Sequence, residues 1–280
     1  MIKSIIFSKN RPLQLDLTLS SIKENFISRG SVSVICYIDD PYIESYKRVE
    51  SEHPDIKFIN EKLHSGHLLD IVIEEIINGE KYVSFFTDDI IFYQEFNYSS
   101  NDLNDIFSIQ SMACLSLRLG INTILRNAEQ NIQDNIPEVY RHENGLLIWD
   151  RLSIPPGGYW AYPLSVDGHI FEKGKILPII RAIDKIQIHV YPSQRSPNKL
   201  EELMQMFFFH VPNLMSCPEY SCIVNSPNNR VQNVILNQYG NKFNHSPSDL
   251  LDLYMGGHRI QLSDLNINNI KCPHTEIKLV

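Results

Sequence analysis

The stretch Lys81 to Tyr93, KYVSFFTDDIIFY, sets two adjacent carboxylates at the end of an apolar run. Tyr82, Val83, Ser84, Phe85 and Phe86 form a segment rich in aromatic and β-branched residues, too short for a helix and suited to a buried strand. It stops at Thr87-Asp88-Asp89. Two carboxylates there cannot both face an apolar core, because an unpaired buried charge is costly. They must meet water, a cation or a metal ion. In open α/β sheets the carboxyl edge of the strands is also where ligands bind. The plain alternative is a solvated turn whose aspartate caps the next element of the chain.

Further polar groups sit at turns. Ser8-Lys9-Asn10-Arg11-Pro12 places a hydroxyl and two cations beside an expected helix N-terminus, which suits an anionic ligand, or else forms an ordinary cap with solvated cations. It has neither the glycine fingerprint of dinucleotide folds nor the lysine loop of P-loop enzymes. Asp39, in YIDD before Pro41, could accept the imide N–H of uracil, a donor that neutral cytosine lacks, or could simply be a turn aspartate. Arg118, in SLRLG, has the fork geometry that matches the paired oxygens of a diphosphate, and equally that of a structural ion pair. Asn229-Arg230 is a further candidate phosphate contact.

These groups need a scaffold, and the hydrophobic pattern supplies one. Ile2 to Phe7 reads as a strand; Leu15, Leu19, Ile22 and Phe26 recur at helical spacing after Pro12; Val32 to Ile38 and Ile56 to Ile59 read as strands. The turn Leu63-His64-Ser65-Gly66-His67 leads into an apolar helix ending at Asn78-Gly79, before the strand that carries Asp88 and Asp89. Such alternation implies parallel strands with crossover helices, an α/β fold. The second half is less regular. Met112 to Leu117 and Leu146 to Trp149 are strand-like, Asn122 to Arg141 is a polar excursion, and Asn198 to Phe209 reads as a helix. Between them Gly157-Gly158-Tyr159-Trp160 and Val166-Asp167-Gly168-His169 interrupt regular structure and gather aromatics around Asp167. Helical pieces are expected at Val231 to Tyr239 and Ser248 to Tyr254. With no internal repeat and no low-complexity linker, the 280 residues read as a single domain with two functional halves.

The net charge of −8 argues against a general nucleic-acid surface, which needs clustered Lys and Arg. The five cysteines form no CxxC pair, so they read as reduced thiols rather than as a disulfide framework or zinc knuckle. Met1 leads directly into a strand-like segment, and no apolar run approaches a membrane span. A cytoplasmic location is therefore the expectation, with peripheral attachment at the inner face of a membrane compatible with it.

SIIFSKNRPLQL, YIDD, SFFTDDIIF and YPLSVDGHIF, in that order, resemble the corresponding motifs of GT-A-fold glycosyltransferases, in particular bacterial enzymes that assemble surface polysaccharides of the capsule and lipopolysaccharide type. The resemblance covers about residues 1–175. It implies a Rossmann-related, mostly parallel sheet, with residues 1–100 binding a nucleotide sugar, 101–215 binding the acceptor and 216–280 forming a helical extension. The family's DxD metal motif aligns with Thr87-Asp88-Asp89, where the first acidic position is lost. Asp89 keeps the ligand position for Mn or Mg, and Asp88 points to the ribose or a metal-bound water. Independently of the family, breaking a sugar–diphosphate bond leaves negative charge that a hard cation with oxygen ligands would stabilise. The resemblance also implies that Asp167 is the general base of an inverting transfer. Tyr159, Trp160, Tyr162 and His169 would face the acceptor, since aromatic faces suit the C–H surfaces of sugars. His64 and Gly66 would approach the nucleotide with Ser8, Lys9, Arg11, Asp39, Asp88 and Arg118. His210 or His189 could supply a third metal ligand, His210 being preferred.

The expected activity is therefore transfer of a sugar from a nucleotide donor, UDP-linked, to a saccharide or glycolipid. Two alternatives share the sheet architecture. A sugar nucleotidyltransferase would present a glycine-rich turn where SKNRP has no glycine, and a non-catalytic carbohydrate-binding subunit would have no need of Asp89.

Overall fold

The computed structural model describes residues 1–65, 67–187, 196–229, 242–243 and 245–280. Its centre is a nine-stranded mixed sheet. The first half supplies β1 (Ile2–Lys9), β2 (Arg29–Tyr37), β3 (Lys57–Asn60) and β4 (Tyr82–Thr87), interleaved with α1 (Pro12–Asn25), α2 (Ile43–Glu52) and α3 (Leu68–Asn78). All four strands are parallel, as the alternation predicts. After β4 come β5 (Ile90–Phe92), α4 (Ser100–Ser108), β6 (Met112–Ser116), the short strands β7 (Leu125–Asn127), β8 (Ile132–Gln133) and β9 (Tyr140–Arg141), and β10 (Leu147–Asp150). The rest comprises β11 (His169–Glu172), α5 (Lys173–Gln187), α6 (Pro197–Met204), β12 (Leu214–Cys217), β13 (Ile223–Asn225) and α7 (Pro247–Met255). The central order is β3-β2-β1-β4-β11-β6-β12-β10-β9.

Period-two alternation in β1 sends Ile2 and Ile6 to one face and Ile5 and Phe7 to the other, and each face has its own apolar layer. One layer gathers Leu15, Leu19 and Ile22 of α1 and Phe26 just after it with Phe86 and Phe92. The other gathers Leu69, Val72 and Ile76 of α3 with Phe85, Ile180 of α5 and Leu200 of α6. A strand covered on both faces is apolar nearly throughout, which is why β1 and β4 carry almost no polar side chains in their buried stretches apart from Ser and one Lys.

Antiparallel pairing organises the second half. β11 runs against both β4 and β6, so β4, β6 and β12 share one direction. Asp167 therefore precedes the antiparallel strand β11 and reaches the same sheet edge as the carboxyl end of β4. The polar excursion at Asn122 to Arg141 contains the pair β7–β8 and the edge strand β9. The helix expected through Phe209 tightens to a 3₁₀ segment at Gln205–His210. The C-terminal stretch is described in part. α7 matches the piece at Ser248 to Tyr254, Val231 to Tyr239 lies outside the described residues, and β13 pairs antiparallel with β5, Asn225 opposite Ile90. That pairing brings residue 225 beside the aspartates that precede β5.

Candidate active site

Arg11 is the hub of the first half of the site. Lying at the N-cap of α1 and 8% exposed, it donates from Nη1 to Asp88 Oδ1 at 3.0 Å and to Asp89 Oδ2 at 2.9 Å. Its Nε donates to Asn229 Oδ1 at 2.8 Å, and Nη2 to the Asn229 carbonyl. Asp88 Oδ2 also accepts from Ser8 Oγ at 2.8 Å and from the Lys9 amide at 2.9 Å. Burial drives the Asp88 carboxyl upward and Arg11 opposes it. Because each group on its oxygens is a donor, we read Asp88 as an anion. Burial by itself would lower the Arg11 guanidinium; the two carboxylates outweigh that and raise it. Thr18 of α1 fixes the turn from inside, donating to the carbonyls of Asp88 and Ile90 at 3.0 and 2.7 Å.

Asp167 is the hub of the second half. Its Oδ1 accepts from Thr87 Oγ1 at 2.9 Å and from Asn225 Nδ2 at 3.2 Å, while its Oδ2 lies 3.1 Å from His274 Nε2 and 3.7 Å from Arg118 Nη1. The same Asn225 amide is 3.0 Å from Asp89 Oδ1, so one side chain joins the two halves. Burial pushes the Asp167 carboxyl up, but His274, Arg118 and Thr87 outweigh it and hold it at about 2. Glu201 of α6, accepting from Ser165 Oγ at 2.7 Å, behaves oppositely: burial, then Asp167, raises it. Ser165 Oγ in turn accepts the Asp167 amide at 3.1 Å.

The structure brings Ser8, Arg11, Asp88, Asp89, Arg118, Tyr159 and Asp167 to one sheet edge through these contacts. Arg118 stands over the rings of Tyr159 and Tyr162, 5.1 and 5.8 Å from their centroids. Lys9 and Lys62 flank the Tyr37 ring at 4.9 and 4.5 Å. Asp39 lies nearby, its oxygens already accepting from Asn10 Nδ2 and Lys62 Nζ, both at 2.7 Å, and these bonds, Lys62 first, lower its carboxyl. His64 follows β3 at the same edge, 3.9 Å from Glu74, and Gly66 lies outside the described residues, as do His189 and Arg230.

Three expected residues are placed elsewhere. Trp160 is 1% exposed, packed edge-on against Trp149 at 4.8 Å with its indole N–H on the Thr123 carbonyl, so it is core and offers no face to a sugar. His169 is fully buried, with Nδ1 3.3 Å from the Pro163 carbonyl, and burial followed by Arg118 lowers its imidazole well below the ordinary range. It cannot meet an acceptor. His210 ends the 3₁₀ segment just before β12, whose first residue pairs with Met112 at the start of β6. Since β4 and β12 run the same way, His210 lies at the amino edge of the sheet and Asp89 at the carboxyl edge, which rules His210 out as a ligand beside Asp89.

Asn225, Asn229, His274 and Thr87 complete the site. Thr87 stands in the Thr87-Asp88-Asp89 triplet and Asn229 in the Asn229-Arg230 pair, where it meets Arg11, while no sequence pattern marks Asn225 or His274. His274 lies in the sequence Cys-Pro-His-Thr, and no spacing connects it to residue 167.

A divalent cation needs open carboxylate oxygens. In this arrangement the four oxygens of Asp88 and Asp89 already accept hydrogen bonds from Ser8, Lys9, Arg11 and Asn225, and the described residues contain no group of three or more His, Cys, Asp or Glu side chains able to hold a metal. The Arg11 guanidinium is here the cation between the two aspartates, and a divalent ion at the pair would have to replace it.

No family model matches the chain. Over 200 residues it is 27% identical to the bifunctional glycosyltransferase pgtA of Dictyostelium discoideum, an alignment covering 66% of this chain and 25% of that protein. The chain thus spans about a quarter of that relative's length. Among solved structures, S. aureus TarS aligns with 81% of this chain and 37% of its own at 15% identity and a TM-score of 0.47. TarS residues 1–349 in complex with UDP give a TM-score of 0.46 at 15% identity, covering 81% of this chain and 61% of that one. The mannosyltransferase PcManGT of Pyrobaculum calidifontis, in complex with GDP-Man and Mn2+, covers 46% of this chain and 39% of its own at 16% identity and a TM-score of 0.32.

Proposed function

We propose that the chain is a GT-A-type glycosyltransferase that moves a sugar from a nucleotide-sugar donor, UDP-linked, to a saccharide or glycolipid acceptor with inversion at the anomeric carbon. One observation carries this reading: Asp167, held anionic, lies at the carboxyl edge of the sheet and is tied through Asn225 to Asp89 of the Asp88-Asp89 turn. That edge is where α/β sheets take nucleotides. The similarity to a glycosyltransferase sequence supports the same reading.

In the reaction so read, an acceptor hydroxyl gives its proton to Asp167 as its oxygen forms the bond to the anomeric carbon. The bond from that carbon to the diphosphate breaks, and its electron pair leaves with the diphosphate. Arg118 lies 3.7 Å from Asp167 and has paired donors for phosphate oxygens. Tyr159 and Tyr162, both half-buried, remain as acceptor-facing aromatics. Asp39 has one lone pair on each oxygen beyond its two bonds and is the group proposed to meet the base. A divalent cation could join only after Arg11 withdrew from Asp89, so no step is assigned to it.

Thermal unfolding with UDP and a set of UDP-sugars, each with Mn and with chelator, tests the reading. A ligand selective for the native state raises the melting temperature by mass action. Stabilisation by UDP and a subset of UDP-sugars is the expected result, and no response to any nucleotide would remove the transferase reading. A gain from UDP plus Mn beyond either alone, lost in Asp89→Ala, would show that the cation displaces Arg11.

A further inference from the structure

Beside Asp167 lies a second ordered unit. His274, near the C-terminus, places Nε2 3.1 Å from Asp167 Oδ2 and Nδ1 2.8 Å from the Tyr159 hydroxyl, and its ring stacks on Tyr159 with centroids 5.4 Å apart and planes at 26°. The backbone fixes it there: the Asn225 amide donates to the Pro273 carbonyl at 2.9 Å, and the Thr275 amide to the Asn225 carbonyl at 3.0 Å. Residue 274 is thus clamped to the strand that also supplies the bridging amide of Asn225.

We propose that His274 is a positioning residue for Asp167, its ring steadied by Tyr159 while Nε2 donates to the carboxylate. This rests on the transferase reading above. A carboxylate only accepts, so Nε2 must carry the proton toward Asp167; a neutral ring then leaves Nδ1 to accept from the Tyr159 hydroxyl. Oδ1 is taken by Thr87 and Asn225. Oδ2 meets His274 at 3.1 Å and, at longer range, the Asn225 amide at 3.4 Å and Arg118 at 3.7 Å, so its contacts are the longer ones and it is the oxygen assigned to an incoming hydroxyl. The imidazole thereby decides which oxygen takes the proton and stops the carboxyl plane from turning away, the orienting task that a third group performs for a catalytic base.

Among the described residues, charged and titratable groups face this unit from several elements. Arg118 follows β6, Glu201 lies on α6 with its carboxyl raised by burial, and Tyr159 and Tyr162 come from the loop before β11. Asp134 accepts the Tyr159 amide at 2.9 Å. His274, Arg118 and Thr87 all act to keep Asp167 ionised, so removing His274 takes away the first of these and leaves the other two.

Two measurements decide the matter. Long-range proton–nitrogen spectra of protein labelled at the histidine nitrogens, with His274 identified by its loss in His274→Gln, should show a protonated Nε2 and an unprotonated Nδ1 near neutral pH. Tyr159→Phe should leave the proton on Nε2, which the carboxylate requires, and shift the Nδ1 signal as its hydrogen bond is lost. A proton on Nδ1 in the parent would overturn the proposal, whatever the activity. For the kinetic arm, UDP release from the UDP-sugar found by thermal screening is followed against pH. His274→Ala should lower kcat on the order of tenfold, a part of what a positioned proton acceptor contributes, with KM for the donor unchanged. It should also bring an acid limb, shifted upward by about one pH unit or more, into the range where the parent is flat. His274→Gln, which can still donate to Asp167, should restore most of both. A uniform loss of rate with no moved limb would reduce His274 to a structural role and sink the proposal. Absence of turnover in the parent with every UDP-sugar would instead refute the transferase reading, and the spectra would still decide the hydrogen-bond arrangement.

Discussion

The side-chain amide of Asn225 stands 3.2 Å from Oδ1 of Asp167 while also donating to Asp89 at 3.0 Å. It is a neutral donor between two anions, placed by the β5–β13 pairing. Asn225→Asp would put a third carboxylate in that space at almost no change in volume. We expect a loss of about 2–4 kcal/mol at neutral pH, from the lost donor and the added buried charge. The loss should shrink as the pH is lowered and the new carboxyl protonates. Urea unfolding at several pH values measures this; a pH-independent loss would mean that repulsion is not the cause.

Arg11 neutralises two buried carboxylates at once. Arg11→Met keeps much of the side-chain length and removes the charge, so it should destabilise the chain by about 3–5 kcal/mol, the usual cost of breaking a buried pair from one side. It also frees Asp88 and Asp89 for a divalent cation. Mn alone should therefore raise the melting temperature of Arg11→Met and leave the parent unchanged. A parent that responds to Mn as strongly as the variant would show that Arg11 does not occupy the cation position.

Asp167→Asn keeps size but cannot take a proton. Transfer should fall on the order of a hundredfold or more, while UDP affinity measured by calorimetry stays near that of the parent. Direct displacement also requires inversion, so the product's anomeric configuration is a second check. Near-normal turnover in the variant, or a retained configuration, would exclude Asp167 as the base.

Acid stability can be separated from chemistry at Glu75. Its carboxylate, on α3, meets Lys3 at 2.8 Å, Lys57 at 2.6 Å and Ser33 at 2.5 Å. Burial pushes this carboxyl up, but those partners hold it at about 2. A depressed carboxyl contributes stability that is complete above its unfolded value, about 4.3, and is lost as the pH falls toward the folded one. Glu75→Gln should thus be less stable at neutral pH yet lose less stability between about pH 5 and pH 2. Parallel acid-unfolding curves for parent and variant would contradict this. Asp167, also held at about 2, adds to the same window with the same sign.

The first half of the fold was legible in the sequence because its determinants are local. β1, α1, β2, β3, α3 and β4 follow from apolar periodicity, Pro12 and Asn78-Gly79, and a charged pair after a two-faced apolar strand has to emerge at the sheet edge. Ser8, Arg11, Asp88 and Asp89 meet there because parallel strands all end on one side. Residue type by itself could not say which way a side chain faces in irregular backbone: Trp160 and His169 share a loop-and-strand segment with Asp167, yet the chain turns them into the core. Nor could it assign an edge. His210 has a ligand's chemistry, but the direction of β12, decided by pairing with β6, sends it to the far side. Tertiary structure alone placed Arg11 between both aspartates and delivered Asn225, Asn229 and His274 to partners far earlier in the chain. The physical reason is that a hydrogen bond between distant residues leaves no period or spacing in the sequence; it exists only once β13 has paired with β5 and carried the C-terminal segment across the sheet edge.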